Sequence, residues 1–171
     1  MRIARLILAT SMLVATAAAA AADGLVAVQS PYPPKETSER LQGVLAGRNL
    51  TVFARIDHAA GAARIDKTLR LTEVVIFGNP LGGTPFMECA QKVGIDLPLK
   101  ALIWQDAAGQ TWIGDNDPAD LARRHEAAQC PAVEGLRKAL GGIVDVTVAR
   151  RPQARQASGR REPSTRDTRW S

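Results

Sequence analysis

Two histidines, His58 and His125, and two cysteines, Cys89 and Cys130, are the residues of this 171-residue chain most suited to chemistry. Imidazole and thiolate are the common ligands of zinc and of redox centres. Their spacing argues against a local metal motif, because neither C-x-x-C nor H-x-x-x-H occurs and the four residues are scattered. Asp57 next to His58 has the composition of an acid–base pair. Neighbours in a chain often point apart, so Asp57 reads first as a helix cap and His58 as a polar residue at a sheet edge. His125 follows Arg123 and Arg124 at a helix end, where a cation is favoured by the helix dipole.

Other polar groupings have simple readings as well. Asp106, Asp115, Asp117 and Asp120 form an acidic stretch but do not follow the D-x-[DN]-x-[DN]-G pattern of a calcium loop. Asp115-Asn116-Asp117 reads as a turn and helix cap. Gly78-Asn79-Pro80 followed by Gly82-Gly83 is a strand-to-helix turn whose backbone N–H groups could also receive an anion, with Asn79 at its centre. It lacks the Lys and Ser or Thr of a Walker loop. Trp104 and Trp112 flank a short turn, so they can meet as a cross-strand pair or line a ligand pocket. No serine sits in a nucleophile-elbow context, which leaves a hydrolase triad without support. No cofactor signature is present, and no cofactor is expected.

Charge separates three segments. Arg2 and Arg5 give residues 1–22 a charge of +2, and seven arginines against Glu162 and Asp167 give residues 149–171 a charge of +5. The chain total is +5, so residues 23–148 carry −2. A domain of that charge does not have the basic face of a nucleic-acid-binding fold, and no specific nucleic-acid partner is expected. Residues 1–22 have the layout of a secretory signal peptide, a basic start, an apolar stretch and an Ala-rich cleavage region near Ala22. A retained membrane anchor is the alternative, although the apolar stretch is short for a span. Export to a bacterial periplasm is therefore expected. In that oxidising compartment Cys89 and Cys130 are expected to form a disulfide rather than a metal site. The Arg-rich tail, 149–171, has almost no aliphatic residues and is expected to be disordered, with at most weak contacts to anionic envelope surfaces.

About 126 residues remain to position these groups, enough for one domain. Strand patterns cover 24–29, 49–56, 72–77, 99–105 and 110–113, the last two joined by a hairpin turn containing Gly109. Helix patterns cover 35–47, one or two turns in 59–65, a segment from Thr84 and Pro85 to about Gly94, a segment capped by Asp117, and 131–140. In the third of these, Phe86, Met87 and Ala90 are expected to face the core. Residues 143–148 fit either an extension of the last helix or a terminal strand. The order implies an α+β domain with a mainly antiparallel sheet.

Four stretches, TVFARIDHAAGA, EVVIFGNPLGGTPFM, IDLPLKALIWQDAAGQTWI and NDPADLARRH, resemble in order and spacing the domain-of-unknown-function family 302. The resemblance covers roughly residues 24–142. It implies a compact α+β fold of the TATA-binding-protein-like type, a curved antiparallel sheet with packed helices, and it allows homodimers. It implies no activity. The expectation is a non-enzymatic envelope module that binds a small ligand or protein partner on the concave side of its sheet, with Asp57, His58, Asn79, Trp104, Trp112 and His125 as candidate ligand-binding residues. The alternative is a metal-dependent or redox enzyme using His58, His125 and the cysteines.

Overall fold

The computed structural model describes residues 24–150. The segments read as signal peptide and Arg-rich tail lie outside the described residues, apart from Ala149 and Arg150. The elements are β1 (Leu25–Ser30), α1 (Pro34–Gly47), β2 (Thr51–Asp57), α2 (His58–Ala63), β3 (Thr72–Gly78), α3 (Pro80–Cys89), a 3-10 turn (Gln91–Ile95), β4 (Leu99–Gln105), β5 (Thr111–Asn116), α4 (Pro118–Arg124) and α5 (Ala132–Val148). The expected α+β architecture is the one found, with an open five-stranded sheet ordered β1-β5-β4-β3-β2. Every neighbouring pair is antiparallel.

The β4–β5 hairpin forms where the turn residues direct it. The Asp106 carboxylate accepts from the backbone N–H of Ala108 and Gln110, each at 2.9 Å, and Gly109 adopts φ +79°. A positive φ is open to glycine at little cost, which sets this turn and hence the register of both strands. β1 then pairs with β5, while α1 carries the chain across to the opposite edge at β2.

The pleat divides the sheet residues into two sets. Val28, Ile113, Ile103, Ala101, Val75, Phe77, Leu99 and Val52 face the helices and meet Leu41 and Leu45 of α1 and Leu140, Ile143 and Val144 of α5. The alternate residues, among them Trp104, Trp112, Leu102, Val74, Ile76 and Ile56, contribute to neither buried cluster. A second cluster joins α3, the 3-10 turn, α4 and α5 through Phe86, Val93, Leu121, Val133 and Leu136. Phe77 and Phe86 are fully buried, and truncating either to alanine would cost about 3 to 5 kcal/mol. Cys89 and Cys130 are joined as expected, with Cα atoms 5.9 Å apart, tying the end of α3 to the segment just before α5.

Two segments depart from the local sequence reading. The third helix begins at Pro80, one turn before the expected Thr84-Pro85 start, because Asn79 caps it by accepting from the Gly82 N–H at 2.8 Å. Pro80 takes the first helical position and Pro85 falls inside the helix. The helix stops at Cys89, and a 3-10 turn replaces its expected continuation to Gly94. Phe86 faces the core, whereas Met87 is 36% exposed. Residues 143–148 continue α5 as helix through Gly141-Gly142. Leu136, Leu140, Ile143, Val144 and Thr147 are buried at helical spacing, and the alternation of Val144 and Val146 has no strand behind it.

Candidate functional site

The chemically able side chains do not converge. Asp57 caps α2, its Oδ1 accepting from the Ala60 N–H at 2.8 Å, and His58 begins that helix exposed to solvent. His125 lies at the end of α4 with only 10% of its side chain exposed, and its Nε2 is 2.6 Å from Asp96 Oδ2. Arg124 Nη1 donates to both oxygens of the same carboxylate, at 3.0 and 3.2 Å. Burial alone would raise the Asp96 carboxyl, but the hydrogen bond from His125 and the Arg124 charge outweigh it and hold it below the usual value. This cluster ties α4 to the loop before β4. The cysteines are bonded to each other, and among the described residues no three His, Cys, Asp or Glu side chains gather as a metal site would require. Among them, too, no helix is long and apolar enough to cross a membrane.

Of the sequence candidates, the structure brings together Trp104 and Trp112. They are paired in register on β4 and β5, stacked with ring centroids 6.3 Å apart and planes 17° apart. Trp112 Nε1 donates to Asp106 Oδ2 at 2.8 Å, so the hairpin turn and the indole hold each other. That hydrogen bond, with those from the Gln110 and Ala108 N–H groups, holds the Asp106 carboxyl below its ordinary value. Gly114 makes room for the pair: a Cβ there would lie 3.2 Å from the Trp104 ring and 2.9 Å from the Val26 carbonyl.

A largely apolar feature lies elsewhere, around the start of α3. A cleft of about 520 Å³ opens there, with Leu50, Phe53, Met87, Leu97, Leu136 and Ile143 among its walls. Phe53 reaches the cleft because β2 bulges between Val52 and Ala54, leaving Phe53 without a ladder partner and 57% exposed. Its ring lies 3.9 Å from the position a Cβ on Gly78 would take. Asn79 borders the cleft, but the Oδ1 that caps α3 is directed at Gly82. Arg48, on the rim, donates to the Gly142 carbonyl at 2.7 Å. Neither Phe53 nor Leu136 was legible as a wall residue. They lie 83 positions apart, and the bulge leaves no mark in NLTVFARI.

Asp115 also has a place the sequence did not disclose. It belongs to β5, 6% exposed, on the helix-covered face between Val26 and Ala101. Burial, and then repulsion from Asp117, pushes its carboxyl up to about 6.

A family model described as Domain of unknown function DUF302 matches residues 26–145. The crystal structure of an uncharacterized conserved DUF302 protein from Bacillus stearothermophilus superposes with a TM-score of 0.67 at 21% identity, covering 74% of this chain and 99% of that one. Proteins named Fluoride-specific ion channel FluC 1, from Brucella suis biovar 1 and Brucella abortus biovar 1, are each 45% identical over 102 residues. That stretch is 60% of this chain but only 40% and 38% of those relatives.

Proposed function

Because the chain belongs to the DUF302 family, whose name assigns no activity, we propose from its geometry a non-enzymatic, exported module of the cell envelope that binds a small apolar ligand. The carrying observation is the cleft beside Phe53. Its volume of about 520 Å³ falls in the range of small-molecule sites. Leu50, Phe53, Met87, Leu97, Leu136 and Ile143 make its walls largely apolar, and two polar groups on it, Asn79 Oδ1 and the Arg48 guanidinium, are engaged with the protein's own backbone. A fatty acyl chain is the ligand class that matches such a lining, since its hydrocarbon part buries apolar area without a polar partner and its carboxylate can stay in water. The cleft lies at one end of the helix layer, so the reading moves the expected site away from the sheet surface.

An envelope setting is supported by the signal-like N-terminus and by the similarity to part of proteins named as ion channels. The test is a thermal-shift titration of the purified protein with octanoate, palmitate, haem and sodium fluoride, repeated with Phe53→Ser. Stabilisation by an acyl probe that is largely lost in Phe53→Ser supports the proposal. Stabilisation by fluoride alone, by none of the probes, or equally in both proteins overturns it.

A further inference from the structure

A second cavity, distinct from the cleft beside Phe53, opens between the edge strand β1, the adjoining end of β5, and α5. Its volume is about 390 Å³, and Val26, Val28, Leu140 and Val144 give it apolar walls. Asp115 also lines it, although only 6% of that residue is exposed. Among the described residues no donor is paired with the Asp115 carboxylate. None of them has a fully enclosed side-chain oxygen without a partner, so the Asp115 oxygens keep contact with the open space of the groove. A carboxylate held against apolar walls is costly until a cation reaches it.

Among the described residues, the two cations that line the groove, Arg137 and Lys138, are committed to other acids. Arg137 Nε donates to Asp117 Oδ1 at 3.1 Å and its Nη1 to Glu134 Oε2 at 3.5 Å, while Lys138 Nζ lies 3.7 Å from Glu134 Oε1. With Asp117 and Glu134 matched in this way, Asp115 and Asp145 are left as unmatched negative charge among the described residues. Apolar walls and one inward carboxylate are a poor cage for a divalent ion, which wants six or more oxygens. They fit an ion with one charged end and a hydrocarbon body. We propose that this groove binds a small organic ammonium ion, its N–H groups donating to Asp115 and its alkyl chain lying between β1 and α5.

The experiment is an NMR titration of the purified protein with n-butylammonium chloride, with n-butanol and calcium chloride as controls. The expected result is saturable shifts of the Val26, Val28, Asp115 and Val144 amides with butylammonium, weak ones with butanol and none with calcium. Asp115→Asn should weaken butylammonium binding by about tenfold or more, as loss of a charge-assisted hydrogen bond does. Affinity should also fall as pH drops below about 6, where Asp115 takes up a proton. Phe53→Ser should leave this affinity unchanged, which separates the result from the outcome at the apolar cleft. The proposal is overturned if butylammonium gives no saturable shift, if butanol or calcium binds as well, or if Asp115→Asn binds equally.

Discussion

The indole of Trp104 lies stacked on that of Trp112 across the β4–β5 ladder, 6.3 Å between ring centroids, on the sheet face that feeds neither buried cluster. Neighbouring space is set by Gly114, where any Cβ would press on the Trp104 ring and on the Val26 carbonyl. The carbonyl belongs to the backbone of β1, so it cannot swing aside as a side chain can. Gly114→Ala should therefore destabilise the domain by roughly 1 to 3 kcal/mol, the usual cost of overpacking. Urea unfolding would measure this, and the near-UV circular dichroism of the tryptophan pair should weaken with it. Unchanged stability would show that β1 yields at little cost.

Asp115 makes stability depend on pH in an unusual direction. Its folded-state carboxyl titrates near 6, against an ordinary value of 3.8. The folded protein thus binds this proton more tightly than the unfolded chain does, and stability falls as pH rises from about 4 to about 6, then levels off. The full shift corresponds to about 3 kcal/mol, which water in the groove reduces to roughly 1 to 2 kcal/mol. Asp115→Asn should remove this fall and be the more stable protein at neutral pH, as denaturant midpoints across that range would show. Asp96 and Asp106 act oppositely, since their carboxyls are held below the ordinary value, so their contribution is lost only as pH drops below about 4.

The Cys89–Cys130 bond closes a separation of 41 residues and tethers α3 to the segment leading into α5. Cys89→Ser with Cys130→Ala should lower stability by about 3 to 4 kcal/mol, the chain-entropy value for a loop of this size. Chemical unfolding with and without reductant checks this, because reductant should destabilise the wild type and leave the double variant unchanged.

Asn79 is a helix cap that borders the cleft, and these two relationships are separable. Asn79→Ala removes the acceptor for the Gly82 N–H and should cost about 0.5 to 2 kcal/mol. Asn79→Asp retains that acceptor and should retain most of the stability. If Asn79→Ala lowers acyl-probe affinity while Asn79→Asp does not, the cap is what holds the cleft wall in place. Paired thermal melts and titrations would establish which.

Local chemistry made much of the architecture legible. The charge partition, the strand and helix order, the Asp57 and Asp117 caps and the Gly109 hairpin all depend on residues within a few positions of one another. The cysteine pairing is an expectation that follows from reading residues 1–22 as an export signal, and the structure joins Cys89 to Cys130. At α3, two cap-and-proline starts, Asn79-Pro80 and Thr84-Pro85, compete within seven residues. Local propensity does not choose between them. The end of β3 at Gly78 and the burial of Phe86 against α4 and α5 place the chain so that the earlier start wins.

What tertiary structure alone decided is where the candidate sites lie. Composition shows Asp115 as one acid in a polar turn; it becomes a buried carboxylate only because β5 sits between β1 and β4 with α5 alongside. Phe53, Met87 and Leu136 are ordinary apolar residues until a bulge, a helix start and a distant helix face bring them around one cleft. Hydrophobic burial has no direction of its own, so a sequence shows that such residues will be covered and by which face of their element. Which partners cover them, and where the covering is left incomplete, depends on how whole elements pack.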